Sequence, residues 1–298
     1  MQREAAHESI TRAPAPDAKP AGSKRRRYPL SVMVSAMVLA LFIGMALFAG
    51  FIAPYAPDEV DLANRLAGAS AAHWLGTDHL GRDVLSRLIY GARTSLGAVA
   101  VIALFIVITG FITGAVSGFL GGWIDALIMR MCELFMTFQT FMLALFLVAV
   151  LGRGMTNVVI AIVLTHWAWY SRIVRGMVLS LKNREYVLAA GIAGGGRFTV
   201  FMRHMAVPVI SQLVILATLD LGHMMLHVAG LSFLGLGIQP PTPEWGVMIN
   251  DARPFIWSNP GLIVWPGLMI FLTVLACNIP GDYLRDRLDP ALARLGGH

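Results

Sequence analysis

Six long apolar segments, separated by shorter polar segments, dominate the sequence. About 20 consecutive apolar residues are enough for an α-helix to cross the hydrocarbon core of a bilayer. Inside hydrocarbon, backbone amides must bond within their own structure, which favours helices over irregular chain. The pattern therefore predicts an all-α, polytopic membrane protein with six transmembrane helices, at residues 30–53, 95–117, 126–151, 158–173, 209–231 and 261–279.

The composition supports a membrane protein and gives no indication of nucleic-acid binding. Of 298 residues, 57% are hydrophobic and only 13% are charged, which is more apolar side chain than a soluble domain of this length could bury. Two cysteines, Cys132 and Cys277, each lie within an apolar segment. We interpret them as small buried side chains and expect no disulfide framework.

The distribution of basic residues predicts the orientation. Seven of the 23 basic residues lie in the first 27 positions, and six more from Arg172 to Arg203 accompany a single acid, Glu185. An excess of Lys and Arg in short segments marks the cytoplasmic side of a membrane. We therefore expect a cytoplasmic amino terminus, with residues 1–29 a disordered basic tail near membrane lipid and residues 281–298 a second cytoplasmic tail.

The first loop, residues 54–95, is expected on the opposite, periplasmic side. It contains four residues that are possible metal ligands, His73, Asp78, His79 and Asp83. However, the Gly-Thr-Asp and Gly-Arg-Asp sequences around them are typical of turns and helix caps. We therefore expect Asp83 to cap the helix that follows. The second outside loop, residues 232–260, is rich in proline and is interpreted as a rigid surface for docking a soluble donor.

A stripe of metal-ligating residues lies within the fifth span. Asp220, His223, Met224 and His227 are spaced i, i+3, i+4 and i+7, which places them on one face of a helix. Such residues are unfavourable in a membrane unless they face the bundle interior or water, and their ligand types suit nickel, copper or zinc. The sequence predicts a translocation path with His166 as partner and transient metal contacts to Asp220, His223 and His227. Interhelical hydrogen bonding is the alternative.

Residues 176–208 form a polar loop between spans, interpreted as a helix, a turn and a second helix ending at Pro208. It resembles the cytoplasmic coupling loop of membrane subunits of bacterial ABC importers, in which Glu-Ala-Ala is followed by three residues and then Gly. Leu188 stands where the glutamate is expected. The resemblance implies docking on an ATPase through Glu185, Leu188, Ala189, Ala190 and Gly194.

A second motif narrows the resemblance. The string W-L-G-T-D-x-x-G-R-D at residues 74–83 is typical of one membrane subunit of the dipeptide, oligopeptide and nickel importers. Residues 166–170, 222–230 and 244–253 resemble the nickel-importing members, whereas peptide importers usually have small residues at positions 220, 223 and 227 and an acid at 228. Relatives usually have Phe-Pro where this chain has Phe138-Gln139, so the kink that proline causes is not expected here.

The resemblance implies an ABC importer permease fold in a bacterial inner membrane, translocating nickel, as a small chelate, by alternating access. The implied partners are a homologous second permease, two ABC ATPase subunits and a periplasmic solute-binding protein. A G-x-x-x-x-G-K-[ST] phosphate loop is absent from the sequence, so we expect no bound cofactor and no enzyme activity, with ATP used by the partners. Import of di- or oligopeptides is one alternative. A membrane-embedded metalloenzyme or metal sensor is the other, against which the lack of H-E-x-x-H argues.

Overall fold

The computed structural model describes residues 29–288, with side chains described as far as residue 283. Of the predicted tails at residues 1–29 and 281–298, the parts at residues 1–28 and 289–298 lie outside this range. Within it the chain is helical, with one isolated bridge between Thr77 and Asp83 in the first loop. The α-helices are α1 Leu30–Leu47, α2 Ala49–Ile52, α3 Val84–Leu120, α4 Gly122–Thr137, α5 Thr140–Leu151, α6 Met155–Lys182, α7 Glu185–Ile192, α8 Arg197–Val200, α9 Val207–Phe233, α10 Trp245–Ala252 and α11 Gly261–Leu288.

Five helices are long and apolar enough to cross a membrane: α1, α3, α6, the continuous helix Arg197–Phe233 that contains α8 and α9, and α11. A sixth candidate is the pair α4 and α5, whose axes meet at 91°. The predicted all-α, polytopic fold is confirmed, and the predicted six spans are reached if the bent pair counts as one. The last helix continues to Leu288, beyond the predicted end of the sixth span at residue 279.

The third predicted span, residues 126–151, is not one straight helix. Phe138 and Gln139 are extended and interrupt the helical hydrogen bonds between α4 and α5. The expectation that this site would lack a kink is therefore wrong. Its physical cause is packing: on one side of the break Phe135 contacts Trp167 with ring centroids 5.6 Å apart. On the other side, Phe141 lies against the backbone of α9 at Gly230.

The first loop bears out the capping interpretation. The Oδ2 atom of Asp83 accepts a hydrogen bond from the Ser86 amide at 2.7 Å, and α3 begins directly after it. The other oxygen of Asp83 lies 3.0 Å from His73 Nδ1. Asp78 receives the Arg82 guanidinium at 2.7 Å. Because the cap starts α3 at Val84, the helix begins 11 residues before the predicted span at residue 95.

The predicted helix, turn and second helix at residues 176–208 are present, with different bounds. The turn contains Gly194, whose φ of +88° lies in the left-handed region that glycine adopts without strain. The second helix does not end at Pro208 but continues to Phe233. A proline has no amide hydrogen and crowds the carbonyl four residues before it. The preceding turn, Phe201–Ala206, is a wider π-helix, which accommodates Pro208 within the continuous helix.

Glycines on α3 allow this helix to pack closely against α6. A methyl group on Gly110 would lie 2.5 Å from Tyr170 Cβ, and one on Gly114 would lie 2.5 Å from the Ser171 carbonyl oxygen. Neither distance is possible for a real side chain, so these positions require glycine at this separation of the helices. These glycines therefore form a small-residue packing face on α3.

Helix α10 fixes the second outside segment to α3. Glu244 caps it, with Oε2 accepting from the Val247 amide at 2.9 Å and Oε1 from Ser95 Oγ at 3.1 Å. The fully buried indole of Trp245 donates to the Leu88 carbonyl at 3.0 Å. Burial raises the pKa of the Glu244 carboxyl above its usual value, and the hydrogen bonds it accepts only partly oppose this.

Gly114→Ala should lower the apparent Tm of the purified permease, because the new methyl group meets backbone of α6. Overpacking of this kind typically costs about 1–3 kcal/mol, which exceeds the gain of about 1 kcal/mol in helix propensity. Gly176→Ala is the control, since nothing lies within 4 Å of its added methyl group. Equal effects of the two substitutions on Tm would contradict the packing argument.

Glu244→Gln should remove part of the pH dependence of stability. A carboxyl pKa that is raised on folding means that the folded protein binds this proton more tightly than the unfolded chain does. Stability therefore falls as pH rises from the ordinary glutamate pKa through the raised one. Glutamine can accept from the Val247 amide through its oxygen and donate from its NH2 group to Ser95 Oγ, without ionising. Tm measured across this pH window should fall for the wild type and for the exposed control Glu185→Gln. It should fall less for Glu244→Gln. Parallel curves of Tm against pH for the three proteins would refute this prediction.

Candidate functional site

Asp220 on α9 is the centre of a polar cluster inside the helix bundle. Its Oδ2 atom accepts a hydrogen bond from the Tyr170 hydroxyl at 3.1 Å and lies 3.6 Å from His166 Nε2, both on α6. Its Oδ1 atom lies 3.5 Å from His223 Nδ1, one turn along α9. Three of the predicted site residues, Asp220, His223 and His166, therefore lie together. Two packed helices contribute to the cluster.

His227 joins the cluster through a ring contact. Its ring meets the His166 ring edge to face, with centroids 5.4 Å apart. Its Nδ1 atom lies 2.7 Å from the His223 carbonyl oxygen. A carbonyl accepts only, so Nδ1 donates this hydrogen bond, and Nε2 has no hydrogen-bond partner within the described residues. Phe141, two residues after the break between α4 and α5, lies 5.9 Å from the His227 ring and brings the bent pair to the same place.

The cluster has unused ligand capacity and one open side. His166 Nδ1 is buried and has no hydrogen-bond partner in the described part of the protein. By contrast, 67% of the His223 side chain is exposed. Residues 29–283 contain no group of three or more His, Cys, Asp or Glu side chains arranged to hold a metal ion. Within the described residues the cluster therefore extends from the interior towards an exposed edge without forming a coordination shell for a metal ion.

Met224 does not share the open side of the cluster. Its side chain is fully buried in the apolar core, although its spacing from Asp220 predicts the same helix face. Each residue turns an α-helix by about 100°, so His223 and Met224 lie on opposite flanks of Asp220. The neighbouring helices leave the His223 flank exposed and cover the Met224 flank. A path role for Met224 stays a prediction.

Sequence reasoning missed Tyr170 as a site residue. A weak signal was present, because Tyr170 follows His166 by four residues and therefore lies on the same face of α6. Its partner Asp220 is 50 residues away in the chain, and only the packing of α6 on α9 brings them together. The side chain is fully buried, and its Cβ atom lies against the space that Gly110 leaves free on α3.

The predicted coupling residues lie on α7 and the turn after it. Glu185, Leu188 and Ala189 are exposed on α7, Ala190 is half-buried, and Gly194 forms the turn. Val187, which is 6% exposed, anchors α7 to the bundle. Two exposed apolar residues were missed, Ile192 at 88% and Phe198 at 72% exposure. Together with Leu188 they form an apolar surface, which we call the α7 patch.

Two family models match the chain. The model described as "Binding-protein-dependent transport system inner membrane component" matches residues 110–294, more than half of the sequence. The chain belongs to this family. A second model, "N-terminal TM domain of oligopeptide transport permease C", matches residues 31–69. The protein is thus a multi-pass inner-membrane transporter subunit that works with a binding protein.

Comparison with characterised relatives narrows the assignment of the chain within this family. It is 52% identical over 268 residues to the "Nickel transport system permease protein NikC" of Escherichia coli (strain K12), covering 90% of this chain and 97% of the relative. It is 43% identical over 271 residues to the "Glutathione transport system permease protein GsiD" of Escherichia coli O6:K15:H31 (strain 536 / UPEC), covering 90% and 89%. The chain is therefore an ABC permease of the nickel and peptide family, as its motifs predicted.

Proposed function

We propose that this chain is the permease subunit of an ATP-driven importer that moves nickel, as a small chelate, into the cytoplasm. One observation carries the proposal: Asp220 is surrounded by His166, His223 and His227 inside a membrane bundle, with ring nitrogens unused. The relative that the chain matches at 52% identity is named for nickel transport. Imidazole nitrogen combined with carboxylate oxygen suits nickel better than it suits alkali ions or sugars.

The chemistry of the cluster fits a cargo that must leave again. The single carboxylate attracts a cation or the metal centre of a chelate, while the imidazoles supply weak, exchangeable contacts. The two ring nitrogens that lack a hydrogen-bond partner within the described residues, His166 Nδ1 and His227 Nε2, are the candidates for successive contacts to a passing metal. Because no closed set of ligands surrounds the cluster, contacts form and break singly, and cargo is not trapped.

The geometry also supports coupling to ATP hydrolysis. In the proposed orientation α7 lies in the cytoplasm and docks on an ATPase subunit. It is connected to α6 on one side and to the continuous helix containing α9 on the other. His166 lies on α6 and Asp220 on α9, so a displacement of α7 that shifts these helices relative to each other opens or closes the cluster. A second permease, a pair of ATPases and a solute-binding protein complete the proposed machine.

Uptake of radioactive nickel by cells that carry the whole transporter tests the proposal. We expect uptake to require this subunit and to persist in excess peptide or glutathione. The second candidate is import of peptides or glutathione, which the 43% identity to a glutathione permease favours. Uptake that peptide or glutathione abolishes would reject nickel in favour of that second candidate.

Combined replacement His223→Ala and His227→Ala should lower nickel uptake at least about tenfold, because it removes two of the three imidazoles near Asp220. Assembly with the ATPase subunits, measured by co-purification, should be unchanged. Ser211→Ala on the same helix is the control, since its exposed hydroxyl only bonds the Val207 carbonyl. Normal transport by the double variant would show that the histidines are structural.

Tyr170→Phe should raise the apparent KM for nickel about fivefold while leaving maximal uptake nearly unchanged. The hydroxyl orients the Asp220 carboxylate through a single hydrogen bond, which is worth about 1 kcal/mol. Tyr55→Phe removes a comparable hydroxyl that donates to Ala72 in the first loop, and should have no effect on KM. A fall in maximal uptake with constant KM would instead indicate a role in helix packing or in the conformational cycle.

A further inference from the structure

Three cavities adjoin on the outward half of α3, and none of the residues that line them belongs to the Asp220 cluster. The first, which we call the head cavity, has a volume of about 210 Å³ and is lined by Asp58, Tyr90, Arg93 and Thr94 among others. The α6 groove, of about 590 Å³, lies between α3 and α6. The α1 groove, of about 550 Å³, lies between α1, α3, α9 and α11. Both grooves are lined almost entirely by apolar side chains.

The three cavities share residues on one stretch of α3. Thr94 lines the head cavity and the α6 groove, whereas Arg93 lines the head cavity and the α1 groove. Gly97 lines both grooves, and no atom lies within 4 Å of the position where its Cβ would be. Because Gly97 has no side chain, nothing on α3 separates the grooves there. One branched molecule can therefore straddle α3 with its head above Gly97.

The depth of the grooves matches one leaflet of a bilayer. On α1 the lining of the α1 groove runs from Leu39 to Leu47. At a rise of about 1.5 Å per residue this is about 12 Å. On α3 the lining of the α6 groove runs from Thr94 to Phe105, or about 16 Å. Half the hydrocarbon thickness of a bilayer is about 15 Å. Each groove therefore accommodates an acyl chain, whereas a helix of a partner subunit would cross the full thickness.

The head cavity holds one charge of each sign. Arg93 and Asp58 form no hydrogen bond or ion pair with any residue in the 29–283 range, yet they line the same cavity. A phosphate is complementary to the guanidinium of Arg93, and an ammonium group is complementary to the carboxylate of Asp58. Tyr90 adds an aromatic ring of the kind found at the level of lipid headgroups.

We propose that this part of α3 binds one glycerophospholipid of the outer leaflet with a zwitterionic ammonium headgroup. Its phosphate contacts Arg93, its ammonium contacts Asp58, and its two acyl chains occupy the α6 groove and the α1 groove on either side of Gly97. The bound lipid fills the spaces beside α3 and thereby ties α1 and α6 to α3 in the outward half of the protein. The site uses none of the side chains of the Asp220 cluster.

Native mass spectrometry of the whole transporter, purified from bacterial membranes and progressively delipidated, tests the site. We expect one phosphatidylethanolamine to remain after the bulk lipid is removed. Gly97→Leu should reduce its occupancy at least about tenfold by filling the junction of the grooves. Gly44→Leu on α1 is the matched control, since Gly44 is equally free of neighbours and lines neither groove. Equal retention by wild type and Gly97→Leu would overturn the proposal.

Headgroup variants test the assignment without altering the helix packing. In nanodiscs of mixed phosphatidylethanolamine and phosphatidylglycerol, the wild type should retain the former. Arg93→Gln should weaken retention of both lipids, and Asp58→Asn should abolish the preference for the ammonium headgroup. A wild-type preference for phosphatidylglycerol would overturn the proposal. So would efficient cross-linking of Gly97→Cys to the second permease subunit, because the grooves would then be covered by protein.

Discussion

The close contact between α3 and α6 is the constraint on which the arrangement of the polar cluster depends. Gly110 and Gly114 let the backbone of α6 approach α3 to a distance that no side chain permits. This approach fixes the buried ring of Tyr170, whose hydroxyl reaches Asp220 on the third helix, α9. A glycine on α3 that touches Tyr170 but not Asp220 therefore helps to position the hydroxyl to which the carboxylate on α9 is bonded. The geometry of the polar cluster therefore depends on how closely α3 and α6 pack.

The cluster also shows how a membrane bundle tolerates polar side chains. Asp220 would be strongly destabilising if it were buried alone, and it is instead shared among a hydroxyl and two imidazoles. The hydrogen bond from His227 to the His223 carbonyl satisfies one further nitrogen. His166 Nδ1 is buried and has no hydrogen-bond partner among the described residues, although the His166 ring contacts α9 through Asp220 and His227. In the proposed cycle this contact is the one that changes, because α6 and α9 are joined through α7.

The features predicted best were those that depend on the pattern of residues close together in the sequence. Hydropathy located the spans, the Gly-Arg-Asp sequence predicted the Asp83 cap, and helical spacing predicted that Asp220 and His223 share a face. Prediction from the sequence failed for features that are determined by contacts between residues far apart in the chain. The break at Phe138 has no proline, and it is fixed by contacts of the flanking rings with α6 and α9. Likewise, which flank of Asp220 is covered depends on neighbouring helices, so spacing alone placed Met224 on the open side.

The α7 patch shows how the proposed ATPase contact could work without the glutamate that the family pattern has at position 188. Leu188 and Ile192 are one helical turn apart and both exposed, and Phe198 is exposed just after the turn. Exposed apolar surface is unfavourable in water and becomes favourable when a partner covers it. A docking contact of this kind gains from burial rather than from an ion pair, which salt would screen. In the proposed complex, leucine in place of glutamate would therefore change the physical basis of docking while α7 remained the docking element.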